Sequence, residues 1–170
     1  MDSQLFEKLV SIRRHLHQHP ELSFTEFKTA EFVERQLAEL AIPTERVALT
    51  GVIGTLRKGE GPTVILRADM DALPVTEESG VDFPSKTPGI MHACGHDIHT
   101  TMLLGAANLL KTAAFSGTVK LVFQPAEEGP MRSPVKGRSG GQLIMESGLL
   151  DDARAVLGLH VHPLQPVGTL

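Results

Sequence analysis

The chain has 170 residues, 41% hydrophobic and 21% charged, with a net charge of −4 and a pI near 6.0. That is the balance of one globular domain with room for a real core. It leaves no basic stripe for nucleic acid or an anionic membrane, and without Trp or Tyr there is no aromatic platform for single-stranded nucleic acid.

No apolar run approaches the roughly 20 residues of a bilayer span. Met1-Asp2-Ser3-Gln4 lacks the charged-then-apolar pattern of a secretory leader. The single cysteine excludes an intrachain disulfide and fits a reducing, cytoplasmic location.

Leu5, Leu9, Ile12 and Leu16 recur at helical spacing over residues 4–17, and Pro20 closes that helix. His15 and His19 near its end read as a polar helix terminus before they read as a metal site. Ser23-Phe24-Thr25-Glu26 has the form of a capping box. Phe27, Ala30, Val33, Leu37 and Leu40 follow on one helical face, and Pro43 marks the stop. Residues 52–56 and 63–67 read as strands joined by the turn 58–62; the second is continuously apolar, as in a strand covered on both faces. Asp69 and Asp71 come just after it. A loop with Gly80, Pro84, Pro88 and Gly89 leads to Met91-His92-Ala93-Cys94-Gly95-His96-Asp97-Ile98-His99. Met102, Leu103, Ala106, Leu109 and Leu110 predict a helix over 99–112. A strand at 118–123 runs into Gln124-Pro125-Ala126-Glu127-Glu128-Gly129. Residues 130–141 read as a mobile loop, 142–147 as a short helix stopped by Gly148, 155–160 as a strand, and 166–170 as the start of another.

Cys94 and His96 flank a glycine, and in an extended segment residues two apart point to one side. Thiolate, imidazole and the nearby Asp97 carboxylate suit a borderline-soft divalent metal. The β-α-β-α-β succession predicts an α/β fold with neighbouring parallel strands and helices on the faces. Sites in such sheets gather outside the carboxyl ends of the strands. Asp69 and Asp71, Glu127 and Glu128, and His160 all fall there, and Cys94 and His96 arrive just before a crossover helix.

Cys94, His96, Glu128 and His160 are therefore candidate ligands of one or two divalent ions. Adjacent Glu127 and Glu128 allow one carboxylate to coordinate while the other moves protons. Alone, such a pair would be a solvated acidic loop. Asp71 and Asp97 are each candidates to accept the N–H of a ligating imidazole and fix its tautomer, although Asp69 and Asp71 also suit turn caps. His92 and His99 read as supporting residues, and His162 as facing away from His160. A competing reading makes Cys94 a nucleophile with His160 as its base, which leaves Glu127 and Glu128 without a role.

Five segments in this order, Arg13-Arg14-His15-Leu16-His17 with Pro20-Glu21, Arg67-Ala68-Asp69-Met70-Asp71-Ala72-Leu73-Pro74, Met91 to Asp97, Phe123 to Gly129, and Gly158-Leu159-His160-Val161 with Pro163, carry a family resemblance. Together they resemble the M20 family of metal-dependent peptidases and amidohydrolases, in particular its hippurate hydrolases, auxin-conjugate hydrolases and N-acetyl-diaminopimelate deacetylases. The resemblance implies a three-layer α/β sandwich with a largely parallel central sheet flanked by helices, incomplete at the C-terminus. It implies two divalent ions (Zn, Mn, Co or Ni) held by Cys94, His96, Glu128 and His160, with Glu127 and Asp71 as catalytic residues, base and imidazole orienter. The reaction implied is cleavage of the amide bond of an N-acyl amino acid or related small substrate by a metal-activated water. In related peptidases the position of Asp69 holds a ligand histidine. Residues 1–170 would be the N-terminal portion of the catalytic domain. A lid or dimerisation domain, a further metal-binding histidine and homodimer formation are expected of the full-length protein. The alternative is a non-catalytic metal-binding or interaction module of the same fold.

Overall fold

The computed structural model describes residues 2–129, 135 and 137–168. Helix α1 (Ser3–Gln18) begins where the Asp2 carboxylate accepts the Leu5 amide at 2.7 Å, satisfying one of the amides a helix start leaves unpaired. Its inward stripe contains Ile12 and Leu16. Helix α2 (Phe27–Glu39) buries Ala30, Val33 and Leu37.

The capping box expected over 23–26 does not form. Neither Ser23 nor Glu26 caps α2: the Glu21 carboxylate accepts the Lys28 and Thr29 amides of its first turn, Ser23 Oγ donates to Asp71, and Glu26 is drawn fully into the interior. The Ser-x-x-Glu pattern satisfies polar groups either way, and here the partners are distant in sequence.

Five strands follow: β1 (Thr44–Val47), β2 (Gly51–Lys58), β3 (Thr63–Asp69), β4 (Gly117–Gln124) and β5 (Ala153–Gly158), in the sheet order β1-β2-β4-β3-β5. β3 pairs in parallel with both β4 and β5, while β2 is antiparallel to both β1 and β4. Four strands thus share one direction and β2 alone opposes them, so the largely parallel sheet expected from the sequence is present. Strands β2 and β3 are consecutive yet not neighbours; β4 pairs with both, Leu121 standing opposite Gly54 on one side and Leu66 on the other. Crossover helix α3 (His96–Thr112) starts three residues before the expected 99, and α4 (Gly140–Glu146) opens on a true capping box between Ser139 and Gln142.

Apolar residues alternate between the two sheet faces. Val52, Leu56, Leu121 and Phe123 pack against α1, α2 and α3, whereas Val47, Ile53, Ile65 and Val122 pack against Ile144 of α4. Each large apolar side chain so buried contributes roughly 1.5–3 kcal/mol. The result is helix, sheet and helix, three layers deep.

β5 ends at Gly158, short of the predicted 160, because the chain leaves the sheet there. Residues 166–168 do not form the expected strand; 167 and 168 lie in a turn. Of the loop expected over 130–141, residues 130–134 and 136 lie outside the described residues, as do 169 and 170. Among the described residues no helix is long and apolar enough to cross a membrane.

Candidate metal centre

Because β3, β4 and β5 run in parallel, their carboxyl ends share one rim. Asp69 is the last residue of β3, and Asp71 lies two further on. The segment 125–129 leaves β4, and His160 lies two residues past the end of β5. His96 is the first residue of α3. Gly95 joins Cys94 to that helix with φ at +86°, a region that L side chains avoid. A Cβ there would sit 2.4 Å from Val161 Cγ2. Only glycine lets the 94–96 segment lie against the loop that carries His160.

The predicted ligands meet. Cys94 Sγ is 3.4 Å from His160 Nε2. Cys94, His96 and His160 offer ligand atoms all within 4.8 Å of one another, and so do His96, Glu127 and Glu128. His96 is common to both groups; its Nε2 stands 3.8 Å from Glu128 Oε1 and 3.9 Å from Glu127 Oε2. His96 Nε2 and Glu128 Oε1 are both buried and, among the described residues, have no hydrogen-bond partner. Buried polar atoms are rarely left so, and two lone-pair donors facing each other at this separation suit a cation between them. His160 Nδ1 donates to the Val161 carbonyl at 2.7 Å, so its Nε2 turns a lone pair toward the sulfur. The Cys94 thiol is pushed up to about 12 by burial, with Glu128, Glu127 and Asp69 adding to the effect. A bound dication reverses that balance, since a coordinating thiol loses its proton.

Asp71 is the hub of the support. Its Oδ1 accepts the Glu127 amide at 3.0 Å, and its Oδ2 accepts the Glu128 amide at 3.1 Å and the Ser23 hydroxyl at 2.8 Å. Oδ1 also faces His96 Nδ1 at 3.3 Å. The approach is misaligned for a full hydrogen bond; with the ring proton on Nδ1, toward Asp71, Nε2 would be the lone-pair donor. Burial works to raise the pKa of Asp71, but His96, Ser23 and the two amides outweigh it and hold the carboxylate below its ordinary value. Burial works against the charged form of His96 too, and Asp71, Asp69 and Glu128 overcome it to raise the imidazole.

Asp69 is saturated from other directions. Its Oδ1 takes the His99 Nδ1 proton at 2.6 Å and its Oδ2 takes Arg67 Nη1 at 2.6 Å. His99 Nε2 in turn accepts the Val161 amide at 3.0 Å. The Asp69, His96 and His99 group is therefore partly satisfied without an ion, and His99 anchors the loop of His160.

Asp97 corrects an expectation. It orients no ligand: its Oδ2 binds His17 Nδ1 at 2.8 Å and Arg13 Nε at 2.9 Å. One step along a helix turns a side chain by about 100°, which carries Asp97 away from His96 and toward α1. His17 Nε2 also reaches Glu77 at 3.0 Å. His92 is buried, and among the described residues neither of its ring nitrogens has a hydrogen-bond partner; burial lowers its pKa to about 4. His162 is exposed. Glu26 and Thr50, behind the Glu127-Glu128 segment, are not legible as site residues in the sequence, where the Ser-x-x-Glu spacing points equally to a local helix cap.

The profile of the family described as Peptidase family M20/M25/M40 matches residues 65–170. An IAA-amino acid hydrolase of Arabidopsis thaliana is 48% identical over 97% of this chain and 37% of its own length. The N-acetyl-L-cysteine deacetylase of Bacillus subtilis is 48% identical over 99% of this chain and 39% of its own. A solved Bacillus subtilis structure, described as a dinuclear metal binding peptidase from the M20 family, superposes with a TM-score of 0.89 at 41% identity, covering 98% of this chain and 46% of that one. The chain thus spans less than half the length of these proteins.

Proposed function

The chain belongs to peptidase family M20/M25/M40, and from that premise we propose that it carries the water-activating centre of a metal-dependent amidohydrolase. The substrate is the amide of an N-acyl amino acid or a similar small molecule, in keeping with relatives named as an amino acid conjugate hydrolase and a deacetylase. The observation that carries the reading is the convergence of buried, unpartnered His96 Nε2 and Glu128 Oε1 at 3.8 Å.

Cys94, His96, Glu128 and His160 would hold two divalent ions, in keeping with the dinuclear description of the structural relative. Thiolate and imidazole donors favour zinc, and manganese, cobalt and nickel share the donor types. When bound, such ions lower the pKa of water toward neutrality and polarise the amide carbonyl. Glu127 is the proton carrier. Its side chain is 39% exposed against 23% for Glu128, so it remains open to water and substrate. It takes a proton from the attacking water as the C–O bond forms and delivers it to the amine nitrogen as the C–N bond breaks. Asp71 keeps the proton of His96 on Nδ1 and holds both glutamate amides. The free Cys94 thiol fits a reducing, cytoplasmic setting.

The 3.4 Å approach of Cys94 to His160 favours a second reading, a thiol hydrolase. That reading predicts inactivation by alkylation of Cys94 and indifference to chelators. The test is Glu127→Gln in the intact zinc-loaded polypeptide. Zinc content stays at the wild-type level while N-acyl amino acid turnover falls by about 10²- to 10⁴-fold, the usual contribution of a general base. Normal hydrolysis by that variant would remove Glu127 from the mechanism.

A further inference from the structure

We propose that Glu26 is a positioning residue for the Glu127-Glu128 segment, acting from outside the centre through the backbone. The inference rests on the metal-centre reading above. Glu26 is 0% exposed and precedes α2. Its Oε1 accepts the Ala126 amide at 2.8 Å, across 100 residues of sequence. Its Oε2 accepts the buried Thr50 hydroxyl at 2.5 Å.

With Asp71 it makes a continuous clamp. Three successive amides, those of Ala126, Glu127 and Glu128, are taken by Glu26 Oε1, Asp71 Oδ1 and Asp71 Oδ2 in turn. The same short stretch of chain feeds both carboxylates, because Ser23, three residues before Glu26, donates to Asp71.

The clamp holds a conformation the segment would not keep alone. Ala126 has φ at +47°, in the region that L residues disfavour. Its carbonyl accepts the Gly140 amide at 3.1 Å, so the residue is fixed on both of its peptide faces. If the Ala126 amide loses its acceptor, the residue relaxes toward negative φ. That rotation swings the next two side chains, the ones that stand 3.8 and 3.9 Å from His96 Nε2. Glu26 touches neither, and its effect passes entirely through the peptide plane at 126. Burial also pushes the Glu26 carboxyl toward its neutral form, which a glutamine imitates in shape and in hydrogen-bonding capacity.

The experiment measures zinc affinity by competition with a chromophoric chelator, together with kcat and KM, on the intact polypeptide and its Glu26→Gln, Glu26→Asp and Glu26→Ala variants. Thermal unfolding is recorded for each. Glu26→Gln keeps an acceptor at the right reach and stays within about threefold of wild type, well inside the range that loss of a ligand-supporting group produces. Glu26→Asp keeps the acid but falls one methylene short. It and Glu26→Ala weaken zinc binding and lower kcat by about 10- to 100-fold, with KM little changed. Wild-type zinc affinity in the Asp and Ala variants overturns the proposal. So does a glutamine variant as impaired as the alanine one, or an aspartate variant that does not fold, since either assigns Glu26 to the fold and not to the loop. Should the wild type bind zinc yet hydrolyse no amide, the amidohydrolase reading fails while the zinc measurements still decide the role of Glu26.

Discussion

Asp71→Asn removes one charge and replaces one acceptor oxygen by an amide NH₂ at the best-connected position of the centre. The wild-type carboxylate accepts from two backbone amides and one hydroxyl and is almost fully buried. In either orientation of the new side chain, an NH₂ group faces the Glu127 or the Glu128 amide, donor against donor. The Ser23 hydroxyl can turn round and accept, but a peptide N–H cannot. At least one hydrogen bond to a charged group is lost, worth about 1.5–3 kcal/mol, and the donor left behind is partly screened from water. A local loss of about 2–4 kcal/mol follows, a sizeable share of the 5–15 kcal/mol that holds a typical domain together. At 1.4 kcal/mol per tenfold, the exposing fluctuation of this segment becomes about 30- to 700-fold more frequent. Hydrogen exchange of the peptide covering 124–129, in the metal-free intact polypeptide, reads that number directly. Zinc affinity falls alongside by about 10- to 100-fold. Unchanged exchange at 127 and 128 in the Asn variant would refute the view that Asp71 holds this segment.

Two further outcomes follow from the same geometry. Gly95→Ala forces a Cβ onto a residue at φ +86° and against Val161; it costs about 1–2 kcal/mol for the left-handed backbone plus the displacement of Val161. Zinc affinity drops because the His160 loop must retreat, and an unaltered affinity would show that the 94–96 segment and that loop need not touch. His17 donates to Asp97 and Glu77 from its two ring nitrogens, and the Asp97 hydrogen bond leads the effects that raise its pKa. Its stabilising charge is fully present below the ordinary histidine value, near 6.5, and is lost as pH rises through the higher folded value. Proteolysis within residues 74–90 therefore accelerates from pH 6 to 9 in the wild type, while His17→Gln shows the fast rate throughout. A flat wild-type profile would mean that His17 is not charged in the fold.

The layers and the rim were legible because their signals are local. A continuous apolar run at 63–67 announces a strand covered on both faces, and polar residues directly after 69, 124 and 158 announce the edge where sites form. The ligand candidates Cys94, His96, Glu128 and His160 converge because parallel strand direction brings their loops to one rim and Gly95 lets the 94–96 segment close on the His160 loop. What stayed hidden depends on partners far along the chain. β1 is four residues long and mostly exposed, so no alternation marks it. Nothing in 51–69 states that β4 will lie between β2 and β3. Ser23 and Glu26 carry the right chemistry for a helix cap, and only the fold reveals that Asp71 and Ala126 claim them first. Closeness to His96 in sequence puts Asp97 on the metal side, whereas helical phase turns neighbours apart.

The place of β4 between β2 and β3 also dictates an order of assembly. A chain emerging from its N-terminus completes residues 51–69 long before residue 117, and its two nascent strands are separated by a turn short enough for them to zip together. That hairpin must stay open, or reopen, for the later strand to enter, since all the inner edges are claimed in the finished sheet. Closing so long a loop before the reward arrives is slow. The glutamates at 127 and 128 thus reach the rim only when the middle of the sheet is filled, and a chain halted before that moment has no centre in which to hold an ion.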